Sequence, residues 1–110
     1  MATNIIVARA THLPTHTTMV VIIVDDKNPV YLRDLGMRTV IDGRRFTSPK
    51  ADMRFLSKQE EKRFNRMATS ASDWTDMSCI EGDDARDEAL DIAKDAINPS
   101  VAEAIRWLFR

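Results

Sequence analysis

The amino-acid sequence predicts an α+β fold: a small antiparallel sheet of three to five strands in the N-terminal half, with two to three helices from the C-terminal half packed on one face. Three observations support this fold class. The β-branched runs are confined to the first half of the chain, an Asp-Gly hairpin signal follows them, and two serine capping boxes open helical patterns in the second half. The length of 110 residues predicts a single domain, 1–110.

The first strands are predicted at 4–10 and 17–24, on either side of a loop that contains Pro14. The run 19–24 is entirely apolar and has no polar alternation, which is typical of a strand buried on both faces. We therefore expect the second strand to be central in the sheet and the first two strands to form a hairpin.

Turn residues at 25–29 separate these strands from a short strand at 30–32. Strands at 37–41 and 44–47 are expected to pair through Asp42-Gly43, because both positions of that turn favour positive φ. The segment 53–56 fits either a last edge strand or a helical turn. The sheet core is predicted from these apolar positions: Ile5, Val7, Val20, Ile22, Ile23, Val40, Ile41 and Phe46.

The helical half begins with the capping box Ser57-Lys58-Gln59-Glu60. Residues 68–82 are small and polar with no clear period, so we interpret them as a linker. A second helix is predicted over 83–97, and a capping box at 100–103 is expected to start a third helix that runs to the C-terminus. The predicted helical core comprises Phe64, Met67, Ala89, Ile92, Ile105 and Leu108.

Several function classes have no motif in this chain. The three glycines, Gly36, Gly43 and Gly82, are scattered, which excludes a P-loop or dinucleotide fingerprint. His12 and His16 flank Pro14 in a predicted loop. Cys79 has no CxxC partner, and we interpret this cysteine as a half-buried structural thiol. We predict no catalytic residue, no metal site and no cofactor.

The compartment is also predicted from composition. The longest apolar run has six residues, and the N-terminal segment lacks the pattern of a secretory signal. A single cysteine suits a reducing compartment. We expect a cytoplasmic protein without a membrane partner.

Charge is distributed unevenly, although the whole chain has a formal net charge of −1. Residues 27–66 contain eleven basic and five acidic residues, whereas 71–98 contain nine acidic and two basic residues. The simplest interpretation is that the two segments balance each other. The alternative is a nucleic-acid-binding surface formed by the basic residues Arg38, Arg44, Arg45, Arg54, Lys58, Lys62, Arg63 and Arg66.

The acidic segment admits two interpretations of its own. It is either the solvated side of an amphipathic helix or a surface that imitates a row of phosphates and binds another protein's basic site. Trp107 and Phe109 on the last helix and Trp74 beside two aspartates are candidate anchors, although Trp74 equally fits a core-covering role. The predicted partner-binding residues are Asp73, Trp74, Asp76, Asp83, Asp84, Asp87, Asp91, Trp107 and Phe109.

These patterns favour a non-enzymatic protein-binding module, an inhibitor or adaptor. Small α+β proteins with segregated charge are often accessory proteins of phages or mobile elements that act on a host factor. The alternatives are a nucleic-acid-binding module that uses 27–66 and, less favoured, a small enzyme whose site is assembled across the fold. A homodimer through the C-terminal helix is a further alternative.

Overall fold

The computed structural model describes residues 4–35 and 52–110, and the backbone of 37–41 and 44–48. These residues form seven strands, three α-helices and two short 3-10 helices, Met67–Thr69 and Ala71–Asp73. The strands are β1 (Ile5–His12), β2 (Thr17–Val24), β3 (Val30–Asp34), β4 (Met37–Ile41), β5 (Arg44–Ser48), β6 (Met53–Phe55) and β7 (Trp74–Glu81); the helices are α1 (Lys58–Asn65), α2 (Gly82–Asp95) and α3 (Pro99–Leu108).

Five strands form an antiparallel sheet in the order β6-β3-β2-β1-β7. The predicted α+β fold is therefore confirmed, with the helices in the C-terminal half. The apolar strand β2 lies in the centre of the sheet, and β1 and β2 form the expected hairpin. The segment whose assignment was open, 53–56, supplies the edge strand β6.

The interpretation of 68–82 as a linker is wrong, because most of it forms β7. This strand pairs with β1, more than sixty residues away in the chain, and closes the opposite edge of the sheet. Its sequence lacks apolar alternation because its central residues are exposed. A bulge interrupts the pairing between Arg9 and Thr11, and Asp76 beside it has a φ of +53°.

Each face of the sheet has its own hydrophobic cluster, since successive strand residues point to opposite faces. The first cluster contains Val20 and Ile22 of β2 and the buried sides of α2 and α3. The second contains Met19 and Val21 of the same strand, together with Phe64 of α1 and Trp74. α2 and α3 therefore cover one face, and α1 packs on the other.

Most predicted core residues are buried, including Ile5, Val7, Ala89, Ile92 and Ile105. Ile23 and Met67 are partly buried and belong to the second cluster. The prediction did not include Met19, Leu32 and Met53, which are fully buried. The side chains of Val40, Ile41 and Phe46, and the turn Asp42-Gly43, lie outside the described residues, although β4 and β5 pair as expected.

The two predicted capping boxes have different outcomes. Ser57 and Glu60 form the predicted reciprocal bonds, in which Ser57 Oγ accepts from the Glu60 amide at 3.2 Å and Glu60 Oε1 accepts from the Ser57 amide at 3.1 Å. The prediction of a capping box at 100–103 is wrong. Asn98 is the N-cap of α3, its Oδ1 accepts from the Ser100 amide at 2.9 Å, and Pro99 occupies the first turn.

No helix in the described part of the chain is long and apolar enough to cross a membrane.

Candidate functional site

The outer side of α2 forms an acidic surface, which we define by Asp83, Asp84, Asp87, Asp91 and Asp95. All five residues are exposed. The helix turns this side to solvent because its other side carries the buried residues Ala85, Ala89, Ile92 and Ala93, which pack on β1 and β7. Asp83 and Asp84 lie in the first turn, where the helix dipole favours negative charge.

Trp107 lies near the end of α3 and is 55% exposed. Its ring is held from one side by Lys27, whose Nζ lies 5.0 Å from the ring centroid. The same ammonium group donates to the backbone carbonyls of Trp107, Leu108 and Arg110, at 2.8–3.3 Å. Lys27 therefore neutralises the negative end of α3 and fixes the position of the tryptophan.

A groove of about 500 Å³ lies beside Trp107, between the end of α3 and the turn that connects β2 to β3. It is lined on the turn side by residues 26–30 and on the helix side by Ala104, Trp107 and Leu108. Volumes of this size are usual for sites that receive a side chain or a small ligand. We call this site the Trp107 groove.

A second concave site lies on the opposite face of the sheet, beside α1, and has a volume of about 430 Å³. Lys62, Arg63 and Arg66 line it, and we call it the basic pocket. Its other lining residues are polar: His12, Gln59, Thr69, Ser70 and Asp73. Among the described residues, none of the three cations forms an ion pair with a carboxylate.

The sheet lies between the basic pocket and the acidic surface. Phe64 anchors α1 to the second cluster, whereas Ala89 and Ile92 anchor α2 to the first. The cations of α1 and the carboxylates of α2 therefore project from opposite faces. These two helices therefore do not neutralise each other across the sheet. The predicted balance between the complete segments 27–66 and 71–98 stays a prediction, since the side chains of 36–51 lie outside the described residues.

The remaining predicted partner residues lie apart from the acidic surface. Asp73 lines the basic pocket, and exposed Asp76 lies at the bulge of β7. Phe109 is partly buried against the first cluster.

Trp74 is 5% exposed and packs against His12 and Phe64, with ring centroids 4.8 Å and 5.7 Å away. It therefore has the core-covering role and offers no surface for a partner. Within the described residues its Nε1 has no hydrogen-bond acceptor.

The predicted nucleic-acid residues divide into three groups. Lys62, Arg63 and Arg66 converge at the basic pocket. Arg54 and Lys58 form exposed ion pairs with Asp52 and Glu61, at 3.6 Å and 3.2 Å. The side chains of Arg38, Arg44 and Arg45 lie outside the described residues.

The histidines and the cysteine have separate environments. His12 is buried and its Nδ1 lies 2.8 Å from Thr15 Oγ1, whereas His16 is exposed in the turn. Cys79 was interpreted as half-buried, but it is exposed because β7 is an edge strand. The described residues contain no group of three or more His, Cys, Asp or Glu side chains placed to hold a metal.

Sequence reasoning missed Lys27, Gln59, Thr69 and Ser70 as site residues. Gln59 precedes Lys62 by three positions and Arg63 by four, so helical spacing alone would have placed it beside them. Lys27 reaches α3 across some eighty residues of chain, and Thr69 and Ser70 belong to the segment interpreted as a linker. No local pattern indicates Lys27, Thr69 or Ser70 as site residues.

No protein-family model, no curated protein and no solved structure matches this chain.

Proposed function

We propose that this chain is a non-enzymatic protein-binding module, an inhibitor or adaptor, whose layer of α2 and α3 docks on a basic surface of another protein. The observation that carries the proposal is the exposure of the Trp107 side chain. A large aromatic side chain, more than half exposed, lies beside a groove in the same helical layer as the acidic surface.

The acidic surface supplies attraction and partner choice. Its carboxylates recur at three- and four-residue spacing, at Asp84, Asp87, Asp91 and Asp95, which places them along one side of α2. A row of like charges attracts a complementary basic surface and accelerates encounter. A protein site that normally receives nucleic-acid phosphates has the charge that this row complements.

Trp107 supplies the anchor. Tryptophan is enriched among the residues that dominate binding energy, because it buries a large area at a small entropic cost. Lys27 already holds the ring in place, so little ordering remains to be done when a partner covers it.

The test is an affinity capture with the purified full chain as bait, in a lysate of the cells that encode it, followed by titration of the purified partner. We expect Trp107→Ala to weaken that partner's binding by about 2 kcal/mol or more, as for a central anchor. Neutralising the acidic surface with Asp87→Asn and Asp91→Asn is expected to slow association and reduce its salt dependence.

Ile97→Ala is the matched control, because Ile97 is a large apolar residue, 63% exposed, in the connection between α2 and α3. Equal loss of binding in the Ile97 and Trp107 variants would contradict an anchor at Trp107. Sedimentation of the bait alone tests the homodimer: a dimer that Trp107→Ala converts to a monomer would make a second copy the occupant of this surface.

A further inference from the structure

The basic pocket is independent of the helical layer that carries the proposed protein-binding surface. It lies on the other face of the sheet, and its cations lie on α1 (Lys62 and Arg63) and at the C-cap of that helix (Arg66). Some exposed cations in the described chain pair with carboxylates, namely Arg54 with Asp52, Lys58 with Glu61 and Arg110 with Glu103. Lys62, Arg63 and Arg66 have no such pair among the described residues, and all three line one concavity.

The backbone beneath these cations is held firmly. The capping box fixes the first turn of α1, and Phe64 packs edge-on against both Tyr31 and Trp74. At the other end of the helix, the hydroxyl groups of Thr69 and Ser70 donate to the Arg66 carbonyl, at 2.8 Å and 3.4 Å. These contacts fix the backbone positions from which the cationic side chains extend, so a ligand has only the side chains to order.

The spacing of the cations favours an extended polyanion over a single anion. Lys58, Lys62 and Arg66 follow one another at four-residue intervals on one side of α1, about 6 Å apart along the helix axis. The pair between Lys58 and Glu61 is weak, because the Lys58 side chain is 93% exposed. A row of cations at this interval matches charges repeated along a phosphate backbone.

Two features of the pocket oppose anion binding. Asp73 contributes a carboxylate, and the pocket lies near the C-terminal end of α1, where the helix dipole favours cations. Three cations against one carboxylate still leave a surplus of two positive charges. The formal net charge of the whole chain is −1, so any attraction for a polyanion must be local to this surface.

We propose that the basic pocket binds the phosphate backbone of a nucleic acid through Lys62, Arg63 and Arg66. The interaction is electrostatic and independent of base sequence, because these side chains meet phosphates and the aromatic ring in the lining, His12, is buried and packs against Trp74. It occupies the face opposite Trp107, so the chain can hold a nucleic acid and a protein partner at the same time.

The test is fluorescence anisotropy of labelled mixed-sequence DNA, single- and double-stranded, against the full chain from about 50 to about 200 mM salt. When the logarithm of the association constant is plotted against the logarithm of the salt concentration, three phosphate contacts predict a slope of about −2 to −3. The double variant Lys62→Ala with Arg66→Ala is expected to weaken binding at least about tenfold and to reduce the slope by close to two.

The matched control is Lys94→Ala with Arg106→Ala. These exposed residues lie on α2 and α3, across the sheet, and their loss changes the net charge equally. We expect wild-type affinity from this control. Asp73→Asn is expected to tighten binding roughly two- to threefold, because it removes the opposing carboxylate.

Three results would overturn the proposal. They are absence of binding by the folded wild-type chain at the lowest salt concentration, equal weakening in the two double variants, and binding of a phosphoserine peptide under conditions where neither DNA binds. Thermal unfolding of each variant separates loss of a contact from loss of the fold.

Discussion

At the scale of single residues, positive φ values occur where one element passes into the next and where strand pairing is interrupted. Gly82 has a φ of +68° at the point where β7 passes directly into α2. Asp76 has a φ of +53° at the bulge of β7. Both residue types tolerate the left-handed region better than most, so the sequence and the backbone agree at these positions.

Gly82→Ala is expected to lower the free energy of unfolding by about 1–2 kcal/mol. A Cβ at this position would meet no atom within 4 Å, so the cost comes from the backbone conformation alone. Gly82→Asn is the control and should cost less, because asparagine adopts positive φ more readily. Urea denaturation measures both values; an alanine variant as stable as the wild type would contradict the positive φ.

At the scale of elements, helix ends are determined by short-range hydrogen bonds, and two nearby candidates competed for the start of α3. The serine box was a reasonable prediction, but Pro99 fits the first position of a helix, where no amide donor is needed. The helix therefore begins one residue earlier than the serine, with Asn98 as its cap.

Asn98→Ala is expected to lower the free energy of unfolding by about 1 kcal/mol, because it removes the acceptor for the Ser100 amide. Ser100→Ala is the matched control and should change stability by less than about 0.5 kcal/mol. Urea denaturation of the two variants distinguishes the caps. A larger loss of stability in Ser100→Ala than in Asn98→Ala would instead identify Ser100 as the N-cap.

The other end of α3 depends on Lys27. Lys27→Met is expected to destabilise the chain by about 1–2 kcal/mol, because three carbonyl oxygens lose a charged donor. Lys58→Met, which removes an exposed pair on α1, should cost less than about 0.5 kcal/mol. Thermal unfolding followed by circular dichroism compares them, and similar melting temperatures for the two variants would contradict the capping role.

At the scale of the whole molecule, one sheet separates two hydrophobic clusters. Ile22→Val in the first cluster and Phe64→Leu in the second are each expected to cost about 1 kcal/mol. Their effects should add within about 0.5 kcal/mol, because the two side chains share no partner.

Ile22→Val with Ile105→Val is the comparison pair, since both residues belong to the first cluster. Residues of one cluster share neighbours, so their combined effect is expected to depart from the sum. Strong coupling between Ile22 and Phe64 in urea denaturation would contradict the separation of the clusters by the sheet.

The same separation gives the molecule its charge layout. The acidic surface lies on α2 and the cations lie on and next to α1. These helices pack on opposite faces of the sheet, so the two sets of charges face away from each other. Composition alone located the two charged segments, and the sheet separates the cations of α1 from the carboxylates of α2. The balance between the complete segments stays a prediction, because the side chains of 36–51 lie outside the described residues. Lys62, Arg63 and Arg66 were predictable as candidates, whereas their convergence with Thr69 and Ser70 was not.

Local patterns in the chain were enough to predict the features that depend on sequence neighbours: the buried central strand β2, the first hairpin, the Ser57 cap and the amphipathic character of α2. The strand β7, and the face of the sheet that each helix covers, could not be predicted in this way, because both depend on contacts between distant segments. Strand alternation separates the two faces of β2, but the choice of which helix covers each face depends on contacts between distant segments. Those contacts bury Trp74, expose Trp107, and place the acidic surface and the basic pocket on opposite faces of the sheet.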